Sequence, residues 1–143
     1  MLIIFDLDGV LIDSKQIHYQ TLNEALASFN TAYVISVDEH LSTFDGLSTQ
    51  QMLNLLTKNK HLPQELHSAI WDKKQEKTLE HLANLPKNYS LIDIFEKIKK
   101  QSISIAVASN SRRQSVEVSL KSIGVFDLVD FIVSNQDVRF AKP

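Results

Sequence analysis

Two carboxylates, Asp6 and Asp8, stand two residues apart at the end of the apolar run Leu2–Leu7 and directly before Gly9. In a strand, a period of two sends both side chains to one side, within roughly 7 Å of each other at the backbone. One carboxylate can then attack phosphorus to give an aspartyl-phosphate, while the other protonates the leaving group and later activates water. An acidic strand end followed by a glycine turn fits D-x-D-G equally well. A second apolar run, Ile105-Ala106-Val107-Ala108, ends in Ser109-Asn110, with helical residues resuming after Ser111. A hydroxyl and backbone N–H groups at a helix N-terminus suit a phosphate oxygen; Ser109 or Ser111 as a plain helix cap is the alternative. Lys142 by itself reads as an exposed lysine, and Arg112 and Arg113 as solvated surface charge that can also meet an anion.

The elements that must position these residues follow from the apolar pattern. Leu2–Leu7 is nearly continuous, as a parallel strand covered on both faces would be. Ile17, Leu22, Ala25, Leu26 and Phe29 recur at helical spacing. Ser36 with Glu39 and Ser48 with Gln51 have capping-box spacing, and Pro63 stands where the first residue of a further helix belongs, carrying Leu66, Ile70, Leu79 and Leu82. Residues 15–83 thus read as all helical. After Pro86 the pattern alternates: a helix over Leu91–Ile98, a strand over Ile103–Ala108, a helix over Val116–Ile123 and a short strand over Phe131–Val133. Such alternation predicts an α/β fold, a parallel sheet with crossover helices, interrupted by an inserted helical block. The core comprises 1–14 and 84–143, the insertion 15–83, with hinges near Ser14 and Pro86.

Bulk properties narrow the classes. At 143 residues there is room for one domain with a modest insertion. A net charge of −2 gives no field that gathers nucleic acid or anionic membrane. The absence of cysteine excludes disulfides, thiolate nucleophiles and cysteine zinc sites, and fits a reducing cytoplasm. Asp6 and Asp8 end the first apolar run far short of a secretory leader, and no stretch approaches the roughly 20 apolar residues of a membrane span. His18, His40, His61, His67 and His81 include no pair at metal-ligand spacing on one helix face.

The string Phe5-Asp6-Leu7-Asp8-Gly9-Val10-Leu11-Ile12-Asp13-Ser14 closely resembles motif I of the haloacid-dehalogenase superfamily. In series with it, Ile105–Asn110 resembles motif II and Ala141-Lys142-Pro143 resembles motif III. The resemblance implies a Rossmann-like parallel sheet with a helical cap, in the branch that includes phosphoglycolate phosphatases and β-phosphoglucomutases. It makes Asp6 the nucleophile and a magnesium ligand, Asp8 the general acid/base whose main-chain carbonyl also faces the metal, Ser109 the phosphate-binding hydroxyl, and Lys142 the neutraliser of phosphate and nucleophile charge. Gly9 and Asn110 are expected at the substrate. Asp45-Gly46-Leu47-Ser48 resembles the cap loop over the active site, so Gly46 is expected there too; an ordinary interhelical turn explains it equally well. His18 matches a histidine frequent after motif I and is read as structural. The dehalogenases that name the superfamily lack the second acid, so Asp8 points to phosphoryl transfer.

Relatives continue beyond the third motif with two more strands and an acidic fourth motif. The resemblance therefore implies an incomplete sheet of about three strands with a bare first-strand edge, and a Mg2+ site short of one carboxylate and weak. Asp13 or Asp137 could stand in for that ligand. Three functions follow: a Mg2+-dependent phosphatase for a small phosphorylated metabolite, a phosphomutase of the β-phosphoglucomutase type, which Val10 fits, or a non-catalytic binding module. A chain completing the sheet is the expected partner; nucleic acid and membrane are not.

Overall fold

The N-terminal apolar run forms β1 (Leu2–Phe5), and the β-branched run after residue 102 forms β2 (Ser104–Ala108), with β3 at Phe131–Val133. The computed structural model describes residues 1–142, and the chain divides into two units, Met1–Lys15 with Leu79–Pro143, and Gln16–Thr78. Among the described residues the strands make one parallel sheet in the order β1-β2-β3. The crossovers are α5 (Tyr89–Lys100) and α6 (Arg113–Ile123). Both steps move the same way across the sheet, so right-handed crossovers put both helices on one face.

The register shows which face that is. Phe5, Val107 and Ile132 lie side by side, as do Ile3 and Ile105. Ile105 and Val107 are fully buried, and the Phe5 ring lies 5.0 Å from that of Phe95 on α5. Ile4, Ala106 and Phe131 form the opposite row, where Ile4 is 63% exposed and Phe131 58%, while the small Ala106 between them is buried. The continuous apolar run thus predicts cover on both faces, and the structure supplies it on one. β1 is an outer strand of this sheet.

The second unit is helical: α1 (Lys15–Phe29, from Gln16 onward), α2 (Val37–Glu39) running into a π turn His40–Phe44, α3 (Thr49–Lys60), and α4 (His67–Ala83). The unit boundary falls inside α4. Both capping boxes form: Ser36 and Ser48 accept from the backbone N–H of Glu39 and Gln51, whose side chains accept in return. Pro63 sits one position earlier than expected, as the extended residue before a 3₁₀ turn Gln64–Leu66, its carbonyl accepting from Leu66 N at 3.1 Å. Leu22, Ala25, Leu26, Leu53, Leu56 and Ile70 close the core of this unit. The long loop after α1 is tied down by Asn23, whose side-chain amide exchanges two 2.8 Å hydrogen bonds with the backbone of Ile35.

Candidate active site

Parallel pairing aligns Phe5 with Val107, so Asp6 leaves β1 level with Ala108, the last residue of β2, and Ser109 follows one residue further on. Asp6 and Ser109 leave the sheet there. After Asp8 the chain turns sharply: Gly9 takes φ 77°, a left-handed conformation that favours glycine, and donates to Ile12 O at 2.8 Å, while Leu11 and Ile12 N both donate to Leu7 O. This turn brings Ser14 back to Asp8, its hydroxyl donating to Oδ1 at 2.6 Å.

Asp6, Asp8, Asn110 and Lys142 line one cleft of about 450 Å³. Asp6 Oδ1 accepts from Leu7 N at 2.7 Å and from Lys142 Nζ at 2.8 Å. The same ammonium donates to Ala108 O at 2.7 Å, which ties it to the end of β2. Asn110 holds the main chain of Lys142 from both sides: Lys142 N donates to Oδ1 at 2.8 Å, and Nδ2 donates to Lys142 O at 3.1 Å. Asn110 therefore acts through its side chain on Lys142. Pro143, the last residue of the third string, lies outside the described residues.

Ser109 is 4% exposed, and its hydroxyl donates to Asp8 Oδ2 at 3.2 Å while accepting from Ser111 N at 3.0 Å. Ser111 Oγ donates to the same Oδ2 at 3.0 Å. Asp8 is thus gripped by hydroxyls on both carboxylate oxygens. Neither serine caps α6 through its side chain; Gln136 Oε1 instead accepts from Arg113 N at 3.0 Å. The sequence marks Ser14 only as a hinge and Ser111 only as a cap. The signal for Ser111 was its offset of two from Ser109 at a strand end, which lets both hydroxyls reach one acceptor.

Gly9 and Gly46 each take a left-handed backbone conformation. Gly9 builds the turn rather than lining the cleft. Gly46 lies in the helical unit at φ 78°, just past the π turn, with nothing within 4 Å of where a Cβ would stand. Asp137 Oδ2 accepts from Ser134 N, Ser134 Oγ and Arg113 Nη2 at 2.6–2.8 Å, and these partners hold its pKa down to about 2. It anchors the loop after β3 and is spent as a carboxylate. Asp13 lines a separate cavity of about 400 Å³ with Leu85, Lys87 and Tyr89. Neither replaces a metal ligand at the cleft. Asp6 and Asp8 offer only oxygen, the donor set that suits a hard cation such as Mg2+. Among the described residues no group of three or more His, Cys, Asp or Glu is placed to hold a metal ion, so waters and substrate would have to complete the shell.

Among the described residues no helix is long and apolar enough to cross a membrane. The chain is 23% identical over 141 residues to pyrophosphatase PpaX of Oceanobacillus iheyensis, covering 99% of this chain and 62% of that protein. Among solved structures it is similar to a predicted phosphoglycolate phosphatase from Haemophilus somnus, with TM-score 0.77 and 21% identity over 99% of this chain and 65% of that one. It is also similar to β-phosphoglucomutase from Clostridium difficile, with TM-score 0.70 and 20% identity over 98% and 64% of the two chains. The chain therefore spans a little under two thirds of the length of these relatives. With the family profile matching residues 3–143, the chain belongs to the haloacid dehalogenase-like hydrolases.

Proposed function

We propose that this chain carries the nucleophile and acid/base half of a Mg2+-dependent, cytoplasmic phosphatase for a small phosphorylated metabolite. The observation that carries this reading is the placement of Asp6 and Asp8 in one cleft with Lys142 Nζ 2.8 Å from Asp6. Asp6 Oδ1 is held by Leu7 N and Lys142, which leaves Oδ2 to attack phosphorus. As that bond forms, the bond from phosphorus to the leaving oxygen breaks, and Asp8 delivers a proton to that oxygen. Water then attacks the phosphorus, Asp8 takes up its proton, and Asp6 is released. Lys142 offsets negative charge on the transferring group, and the Ser109 hydroxyl binds one of its oxygens. Mg2+ bound by Asp6 and the Asp8 carbonyl would supply further charge neutralisation at the phosphoryl oxygens.

The test is phosphate release from a generic phosphomonoester with and without Mg2+, beside Asp6→Asn prepared identically. The expected result is Mg2+-dependent release that Asp6→Asn abolishes. Equal release from both proteins would remove the reading. A panel of sugar phosphates tests the phosphomutase alternative, which the likeness to β-phosphoglucomutase supports at the level of the fold: isomerised sugar phosphate, rather than free phosphate, would favour it. The place of β1 at the edge of the three-stranded sheet supports a partner role for a chain that completes the sheet. A monomer in sizing experiments would speak against it.

A further inference from the structure

Lys74 on α4 is a buried nucleophile that the chemistry at Asp6 and Asp8 does not use. It is 6% exposed within the helical unit, and its Nζ meets Thr49 Oγ1 at 3.0 Å. Thr49 is the first residue of α3, so the amine stands at the positive end of a helix of twelve residues, which disfavours a cation. Ser48 Oγ takes the N–H of Gln51, and Met52 N is the first to reach a helix carbonyl, that of Ser48 at 3.0 Å. The N–H groups of Thr49 and Gln50 have no partner within the helix and suit an anion. Burial alone lowers the Lys74 pKa to about 8, so near that pH half of the amine is neutral and carries the lone pair of a nucleophile.

We infer that Lys74 takes up CO2 as a carbamate, which Thr49 and the first N–H groups of α3 hold in place. The Nζ lone pair bonds to the carbon of CO2, one C–O π pair moves onto oxygen, and a proton leaves Nζ for water. A side chain of charge +1 becomes one of charge −1. The positive end of α3 then faces an anion instead of a cation, and Thr49 Oγ1, which accepts from the ammonium, turns to donate to the carbamate. CO2 is small and uncharged, and its path to the amine is short. A cavity of about 440 Å³ is lined by Gln50, next to Thr49, and by Trp71, one turn before Lys74. Glu65 and His67 are the titratable groups on its wall. The site does not depend on the phosphatase reading.

The experiment adds [13C]bicarbonate to the full chain at about pH 8, follows carbamate carbons by NMR, and traps them with triethyloxonium ion as ethyl esters for peptide mass mapping. An exposed lysine is almost wholly protonated near that pH, so the yield at Lys74 is expected at least about tenfold above that at exposed lysines. The α-amine of Met1 is the internal positive control. Lys74→Met is expected to remove one carbamate resonance and leave that of Met1. Thr49→Val, which lacks the hydroxyl, is expected to lower the yield at Lys74 about threefold, the worth of roughly one hydrogen bond. Modification of Met1 with no trapped mass on the Lys74 peptide and no resonance that Lys74→Met removes would overturn the inference. The trapped mass is read on native protein, so this outcome holds even where a variant misfolds. An unchanged yield in Thr49→Val would overturn the part assigned to Thr49.

Discussion

The helical unit and the sheet are built from similar aliphatic residues and use them differently. Leu26 on α1 is fully buried in a closed core, whereas Ile4 on β1 is 63% exposed on an open face. A helix carries its own division into faces, because residues three and four apart share a side and the polar residues between them mark the other. A continuous apolar strand carries no such division. Its sequence says that neither side is polar, and what covers each side is decided by distant parts of the chain. Closure, rather than hydrophobicity, is what separates the two regions.

The largest effect that tests this contrast is Leu26→Ala. Deleting a fully buried leucine in a packed core costs about 2–5 kcal/mol, and the loss should be read by urea unfolding of the full chain. A loss under about 1 kcal/mol would mean that the helical core is loosely packed and that the contrast with the sheet face is false.

The same closure traps a lysine. Lys74 is 6% exposed; its Nζ meets Thr49 Oγ1 at 3.0 Å, a neutral hydroxyl and not a carboxylate, and burial lowers its pKa to about 8. In the unfolded chain a lysine titrates near 10.4, so between these values the unfolded state binds more protons and stability rises with pH. Below pH 8 the buried ammonium costs its full amount, roughly 3 kcal/mol. Lys74→Met should therefore stabilise the chain at pH 7 by up to about that amount, with the gain fading above pH 8 and gone by about pH 10.4. A gain that does not change with pH would place its origin in packing rather than in charge.

What the sequence showed follows the same line. Features decided within a few residues were legible: both capping boxes, the strand at Phe131–Val133, and the acidic pair before Gly9. Pro63 was one position out because an N-cap and a first helical residue differ only in ψ, which composition does not record. Features decided by long-range closure were not legible. The open sheet face needed the strand order, and the grip of Ser111 on Asp8 needed two segments 103 residues apart to meet. Lys142 near Asp6 lay between these cases: its string resembled a motif, but its geometry depends on Asn110 holding its backbone.

The smallest expected effect lies on the open face. Ile4→Thr keeps β-branching, and the backbone pairing of Ile4 with Ala106 does not depend on the side chain. Little apolar surface is withdrawn from water at this position, so the change should stay within about 0.5 kcal/mol of the native protein in the same urea experiment. The outcome is informative because it separates two meanings of exposure. A residue open to solvent gives a small cost at every protein concentration. One covered by a second chain in solution gives a cost that grows with concentration, because association adds stability by mass action. Ile4→Thr measured at two concentrations a hundredfold apart would distinguish them, and a cost approaching that of Leu26→Ala only at the higher concentration would show that the face is closed by association.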